Sequence, residues 1–231
     1  MTDFVQPMSH GESTVKRRSL PVAAAFAATT ALLLTACGGG DDAPKANDKI
    51  AGADQGSTGP ASPSASAPDD ADRPDITLPK DLSDRFENWS TGDAAKDAVL
   101  ADAARRIDAT NYAIAKGDAE LPALGYYYSG TALGDAGDWV TSIAKDGYSI
   151  TGVNRYYNAK IDLFDSASAG VVYCEDQSKA FAKDRKSGKV IKTAVTAKSY
   201  VLYTTRLERN EKGVWQTTKL TSQRGHKSCT A

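Results

Sequence analysis

The distribution of aromatic residues divides the chain into a part that can build a core and a part that cannot. No Phe, Trp or Tyr lies between Gly38 and Lys80, where six of the nine prolines fall among Gly, Ser, Ala and Asp. Such a composition buries too little apolar area to offset the entropy of ordering the chain. By contrast, 16 of the 18 aromatic residues lie between Asp81 and Ala231. The sequence therefore predicts a disordered Pro/Asp/Ser-rich tether over residues 37–80 and one folded domain over residues 81–231.

The first 36 residues have the pattern of an export signal. Lys16, Arg17 and Arg18 form a cationic patch, and the 17 residues of Leu20–Ala36 carry no charge. A basic region followed by an apolar run is typical of a signal peptide. The run ends at Leu34-Thr35-Ala36-Cys37 and is followed by three glycines. This ending resembles the lipobox of bacterial lipoproteins, in which the Cys receives diacylglycerol and becomes the first residue after cleavage.

The lipobox resemblance implies that Cys37 carries lipid, with palmitate-type acyl chains, and that residues 1–36 are removed. Two acyl chains hold a protein stably at a bilayer. The predicted location is the outer face of the cytoplasmic membrane. An uncleaved anchor with Cys37 as an ordinary thiol is the alternative, and the Arg17-Arg18 pair leaves the choice between general secretory and twin-arginine export open.

Composition disfavours several classes of function. Lys and Arg number 28 against 29 Asp and Glu, and the sequence pI is near 6.1, so no overall basic field attracts nucleic acid. After removal of the leader, His226 is the only histidine. Multi-histidine metal centres and His-dependent nucleophiles would all rely on this one residue near the C-terminus. We therefore predict no metal, no cofactor and no nucleic-acid partner.

Apolar periodicity predicts helices first and strands second. Steps of three and four predict a helix from a cap at Ser90 or Thr91 to about Ala119. A short segment follows Pro122, and a second helix is predicted over residues 138–145, with Gly147 as its stop.

After Tyr148 the period changes to two, which is typical of strands. Residues 157, 159, 161 and 163 are predicted to share one face. Further strands are predicted over residues 171–174, 199–209 and 214–224, with hairpin turns at 186–188 and 210–213. The predicted fold is α+β, with N-terminal helices packed on one face of a curved antiparallel sheet.

This element order, ending in the turn and strand of Lys212-Gly213-Val214-Trp215, resembles the NTF2-like, or SnoaL-like, superfamily over residues 90–224. The resemblance implies a cone between helices and sheet, where members commonly use Asp, Tyr or His groups. The lipobox, tether and domain together also resemble lipoproteins of Gram-positive bacteria with GC-rich genomes. That group supplies no function to carry over.

The two cysteines of the predicted domain are expected to pair. Cys174 lies at a strand end and Cys229 lies near the C-terminus. In an exported chain whose third cysteine, Cys37, is used by lipid, the remaining pair predicts a disulfide. A redox site is the alternative, although the spacing is not that of a CxxC motif.

Five residues are candidates for lining the cone. Their rings, hydroxyls and carboxylate would suit an amphipathic ligand pocket. The favoured interpretation is that the aromatic residues fill the core and that Asp138 starts a helix, and no motif assigns a catalytic role, so no catalytic residue is predicted. The candidates are Tyr127, Asp138, Trp139, Tyr157 and Tyr203.

A basic stretch at one hairpin is a candidate contact for anionic surfaces. It is either a solvated edge that resists aggregation or a site for envelope polymers or lipid headgroups. Its candidate contact residues are Lys183, Arg185, Lys186 and Lys189.

Three functions remain open from the sequence. The favoured one is a lipid-anchored extracellular binding or accessory domain whose ligand or partner is an envelope polymer, a small molecule or a protein. The others are a secreted NTF2-like enzyme with an Asp or Tyr acid–base group and a structural envelope module.

Overall fold

The computed structural model describes residues 72–230. Cys37, the signal peptide and most of the predicted tether lie outside the described residues. The elements, in chain order, are β1 (Leu82–Phe86), α1 (Ala94–Lys116), α2 (Pro122–Tyr127), α3 (Gly130–Lys145), β2 (Tyr148–Leu163), β3 (Ser168–Asp184), β4 (Val190–Ile191), a 3-10 turn (Ala197–Ser199), β5 (Tyr200–Arg209) and β6 (Trp215–Arg224).

The strands form one sheet in the order β1-β2-β3-β5-β6, with β4 added to β3. Apart from β1 with β2, the neighbouring strands are antiparallel. Register shifts in β2 and between β5 and β6 mark bulges, which bend a sheet. The helices pack on this sheet, so the predicted α+β architecture is confirmed.

Helix α1 begins and ends on clear local signals. The Asp93 carboxylate accepts from the backbone N–H groups of Ala95 and Lys96, and Gly117 ends the helix in the left-handed conformation at φ 73°. The predicted caps, Ser90 and Thr91, instead donate to Asp97 in the first turn. The predicted cap position was therefore wrong by two or three residues, because several hydroxyl and carboxylate residues compete there.

Helix α3 is twice as long as the sequence pattern predicts. It starts at Gly130, eight residues before the predicted start at Asp138. Glycine is unfavourable inside helices, so the glycines of this segment lower its helix propensity and the sequence pattern does not predict a helix there. Packing of one face of the helix against the rest of the domain stabilises the helical conformation. The buried residues of this face are Ala132, Ala136, Trp139, Val140 and Ile143. The segment after Pro122 is a short helix, α2, with Pro122 in the first turn.

Strand β1 was not predicted, and it precedes the helices. It pairs in parallel with β2, from Leu82 opposite Gly152 to Phe86 opposite Tyr156. The prediction of a purely antiparallel sheet after the helices is wrong at this element. A strand of five residues with one buried side chain carries too little periodicity to be recognised.

Contacts with the domain begin before the predicted boundary at Lys80. The Arg73 guanidinium donates to the carboxylate of Asp102 in α1 over 2.6 Å. Ile76 packs against a cluster that includes Ala109 and Tyr127. The boundary at Lys80 was predicted from the aromatic content of the chain. The preceding segment contains no aromatic residue and contacts the domain through Arg73 and Ile76 instead.

A bulge reverses the faces of β2 at Asn158, which has φ 54°. The pairing with β3 shifts between Tyr157 and Lys160. Tyr156 and Ala159 therefore face the same core, and the prediction that Tyr157 shares the face of Ala159 is wrong. Periodicity cannot detect an extra residue that leaves the alternation intact on either side.

Besides the cluster around Ala109 and Tyr127, two larger apolar clusters hold the helices and the sheet together. One joins α1 to the concave face of the sheet and includes Leu100, Ile107, Val171, Leu207 and Trp215. The other joins the helices to one another around Ile114, Leu124 and Val140. Within residues 72–230, no helix combines the length and apolar character needed to cross a bilayer.

Candidate functional site

A network of polar side chains fills the space between α1 and the concave face of the sheet, inside the predicted cone. Its centre is Glu175 of β3, which is 5% exposed. The hydroxyls of Tyr203 and Tyr156 donate to its two carboxylate oxygens over 2.8 and 3.1 Å, and the amide of Gln177 donates over 2.9 Å. Both oxygens of this carboxylate are therefore bound by neighbouring side chains.

Burial controls the protonation of this group. Burial raises the pKa of Glu175, and the three donors partly oppose that rise. Burial, together with the nearby Glu175 carboxylate, raises the pKa of both Tyr156 and Tyr203 well above 10. The two phenols thus stay protonated and remain donors at neutral pH.

A second part of the network joins β1 to α1 through two carboxyls. Asp84 accepts from the side-chain amides of Asn111 and Asn154 over 2.8 and 2.9 Å. The carboxyl groups of Asp84 and Asp108 interact directly with each other. Burial and the neighbouring Asp84 carboxylate raise the pKa of Asp108 to about 8. Since two adjacent carboxylates repel each other, the pair holds one proton between them.

Asn111 connects the two parts, because its amide also donates to the Tyr156 hydroxyl over 3.1 Å. On the helix side, the Arg106 guanidinium, 4% exposed, donates to the Tyr173 hydroxyl over 2.7 Å. The Tyr173 ring stacks on Tyr203, with centroids 5.0 Å apart. The interior is therefore continuous from β1 to β5 and is occupied by protein groups.

The Asp84–Asp108 pair predicts a stability that depends on pH. A carboxyl whose pKa is raised by folding binds its proton more tightly in the folded chain, so its stabilising effect is complete below the unfolded pKa and is lost as pH rises through the folded pKa. For Asp108 this window runs from 3.8 to about 8. One such group changes the free energy of unfolding by at most about 1.4 kcal/mol per pH unit.

We therefore expect the free energy of unfolding, measured by urea titration, to fall between about pH 5 and pH 8. Asp108→Asn should flatten this decline in part, since Glu175 acts in the same direction. Asp135→Asn, a change at an exposed carboxyl of α3, is the matched control. An Asp108→Asn profile as steep as the parent's would contradict the shared proton.

The structure places the five candidate pocket residues in different surroundings. Tyr203 belongs to the interior network. Trp139 lies in the cluster between the helices, and Asp138 beside it is exposed. Tyr127 is fully buried and accepts from Arg73 over 3.3 Å. Tyr157 lies on the face of β2 away from the core, so these five residues do not line one pocket.

Cys174 and Cys229 form a disulfide, as predicted, with their Cα atoms 5.5 Å apart. Cys174 faces away from the cone, since its neighbours Tyr173 and Glu175 face inward. The Tyr157 hydroxyl donates to the carbonyl of Cys229. Together these contacts hold the C-terminal tail against the outer face of the sheet.

The predicted basic residues lie at the β3–β4 hairpin, and two of them have structural partners. Lys183 pairs with Asp81 over 2.8 Å. Arg185 donates to the carbonyls of Tyr148, Ala115 and Ile114, so it caps the C-terminal end of α1. Lys186 and Lys189 are exposed.

A shallow cleft of about 210 Å³ lies at the base of this hairpin, between Pro79, Ile150 and Arg185. Ligand pockets commonly reach about 300–1,000 Å³, so the cleft is small for a ligand site. Among residues 72–230, no group of three or more His, Cys, Asp or Glu side chains is placed to hold a metal ion.

The sequence did not reveal the interior network. Asp84, Asp108 and Asn111 lie on two elements, one of which was not predicted. Glu175 follows Tyr173 and Cys174 and is itself followed by Asp176, and in the sequence this acidic pair resembles the end of a strand. The only available signal is that a charged residue at this position, in phase with Val171 and Tyr173, must face the core.

No protein-family model matches this sequence, and no curated protein matches it. Similar solved structures include the intermembrane space region of the chloroplast protein ARC6, at 14% identity over 54% of this chain and 92% of that chain, with TM-score 0.39. A ketosteroid isomerase-like protein from Erwinia carotovora atroseptica SCRI1043 is 14% identical over 55% and 93%, with TM-score 0.38. Hexachlorocyclohexane dehydrochlorinase LinA-type3 from Novosphingobium barchaimii LL02 is 12% identical over 57% and 90%, with TM-score 0.39. At such identities and TM-scores these structures assign no superfamily, activity, ligand or partner to this chain.

Proposed function

We propose that this chain is a lipid-anchored extracellular accessory domain that works through its surface rather than as an enzyme. The observation that carries the non-catalytic part is the filled interior. The acid–base groups of the cone, Glu175 with Tyr156 and Tyr203, are bound to one another and are at most 6% exposed. A substrate would have to displace these buried bonds, each of which is costly to leave unpaired.

The anchoring part rests on the lipobox at Leu34-Thr35-Ala36-Cys37 and on the disulfide. A disulfide is typical of exported domains and rare in the cytosol. The Cys174–Cys229 bond is therefore in keeping with an outward-facing domain. Anchored to the outer face of the cytoplasmic membrane, such a domain would meet envelope polymers, lipid surfaces or protein partners.

The proposal predicts that Cys37→Ala releases the protein from the membrane. The parent should be recovered in the membrane fraction after a high-salt wash and be extracted by detergent, because two acyl chains hold a protein stably in a bilayer. Its mass should equal the chain from Cys37 onward plus diacylglycerol. Gly39→Ala, two residues beyond the lipidation position, is the matched control and should behave as the parent.

A Cys37→Ala protein that is still cleaved before residue 37 and retained in the membrane would overturn the anchor.

The same purified parent tests the filled interior by native mass spectrometry. We expect no added mass beyond the lipid. A discrete mass that disappears on unfolding would show a ligand held in the fold and would favour the enzyme or ligand-pocket alternatives.

A further inference from the structure

Exposed apolar and basic side chains occur together in one segment, Arg185–Lys198, which runs through β4 to the turn before β5. Among residues 72–230, four large apolar side chains are exposed, and three of them lie here: Val190 at 39%, Ile191 at 37% and Val195 at 57%. The segment also holds five Lys or Arg residues and no Asp or Glu. Elsewhere in the domain, acidic and basic residues are mixed.

The segment is fixed to the domain at its base and exposed beyond it. Arg185 is bound to the carbonyls at the end of α1. In β4, Val190 and Ile191 pair with Lys183 and Ala182 of β3, and this pairing fixes the backbone of the segment at the edge of the sheet. Every residue from Lys186 to Lys198 is exposed. Along the segment, Lys186, Lys189, Lys192 and Lys198 thus lie before, between and after the three exposed apolar residues.

We propose that the 185–198 segment binds the surface of an anionic phospholipid bilayer. The lysines would contact lipid phosphates, while Val190, Ile191 and Val195 enter the boundary between headgroups and acyl chains. Apolar residues bordered by Lys and Arg bind membranes through burial of apolar area and through attraction to anionic lipids. The lysines also disfavour an added peptide strand at the β4 edge, since lysine on an edge strand opposes pairing. The inference deepens the proposed function and rests on it for the location at a membrane.

The attachment geometry permits this second contact. The described chain begins at Asp72, and Arg73 binds Asp102 of α1, whereas Arg185 binds the carbonyls of Ile114 and Ala115. Thirteen residues of helix separate Asp102 from Ala115, or about 20 Å at 1.5 Å per residue. The 34 residues between Cys37 and Asp72 could span at most about 110 Å, which far exceeds this separation. The tether is therefore long enough for the lipid and the 185–198 segment to meet the same bilayer.

Hydrogen exchange in the full lipidated chain tests the inference. The protein is reconstituted into vesicles of phosphatidylcholine, alone or mixed with phosphatidylglycerol. We expect exchange of the amides of residues 192–196, which lie beyond the β4 pairing, to slow about tenfold on the anionic vesicles only. High salt should remove the protection, because it screens the charges.

Two sets of variants separate charge from apolar contact. Lys186→Gln/Lys189→Gln/Lys192→Gln should lose the protection, as should Val190→Ser/Ile191→Ser/Val195→Ser. Lys160→Gln/Lys212→Gln/Lys219→Gln removes the same charge from other exposed positions and should keep it. Equal exchange on both kinds of vesicle, or equal loss in the control variant, would overturn the inference.

Protection by soluble polyphosphate that equals or exceeds protection by anionic vesicles would also overturn it, since the site would then fit an anionic polymer. The mass of the same sample reports the lipid on Cys37 independently. Protection without lipid would support the membrane contact and refute the anchor, whereas lipid without protection would refute this inference alone.

Discussion

Replacing both Cys174 and Cys229 with alanine is expected to lower the free energy of unfolding by about 4 kcal/mol. The bond closes a loop with a sequence separation of 55, and loss of that closure increases the entropy of the unfolded chain. The tail would also lose its covalent hold on the outer face of the sheet. Urea unfolding followed by tryptophan fluorescence measures the change, with Trp215 in the core as a reporter.

Reductant provides the control for the disulfide prediction. It should destabilise the parent by a similar amount and leave the Cys174→Ala/Cys229→Ala protein unchanged. Ser228→Ala alters the tail next to the bond without removing it and should cost far less. A double variant within about 1 kcal/mol of the parent would show that the tail is held by other contacts.

Asp102→Ala is expected to lower the free energy of unfolding by about 3–5 kcal/mol. One oxygen of this carboxylate, 3% exposed, accepts from Arg73 over 2.6 Å, and the other accepts from the backbone N–H of Trp215 over 2.9 Å. Removal takes from the largely buried Arg73 guanidinium its 2.6 Å contact with a carboxylate and leaves the N–H of Trp215 without this acceptor. Breaking a buried pair from one side costs more than the pair itself contributes.

A double-mutant cycle with Arg73→Leu checks the Asp102 prediction. Asp102→Ala/Arg73→Leu should be more stable than the sum of Asp102→Ala and Arg73→Leu predicts, because the ion pair is then removed from both sides. Additive effects would show that the two residues act independently. Asp118→Ala, at an exposed carboxylate after the end of α1, is the matched control and should change stability by at most about 0.5 kcal/mol.

The elements that were predicted correctly from the sequence are those with strong local signals. Long periodic segments such as α1 and β5 were found, and Val201, Tyr203 and Leu207 do share a buried face. The disulfide followed from the count of cysteines in a chain predicted to be exported. Helix α3 was predicted only in its second half, where Trp139 and Ile143 mark a face, because glycines weaken the signal before them.

The interior site was out of reach because it depends on long-range pairing. Asp84 meets Asp108 and Asn154 only when β1 adds in parallel to β2, and no local pattern specifies this pairing. Glu175 finds two tyrosine donors from β2 and β5, which requires the register of three strands. Periodicity gives the face of a residue within its own strand, but it does not identify the neighbour across the sheet.

The extra residue at Asn158 changes which side chains of β2 face the core. Even-numbered positions such as 154 and 156 face the core before it, and odd-numbered positions 159, 161 and 163 do so after it. A chain with one residue fewer or one residue more at this point would exchange the inward-facing and outward-facing side chains in the second half of β2. Lys160 and Asp162 would then lie in the core. Chain length at position 158 therefore determines which side chains of the second half of β2 are buried.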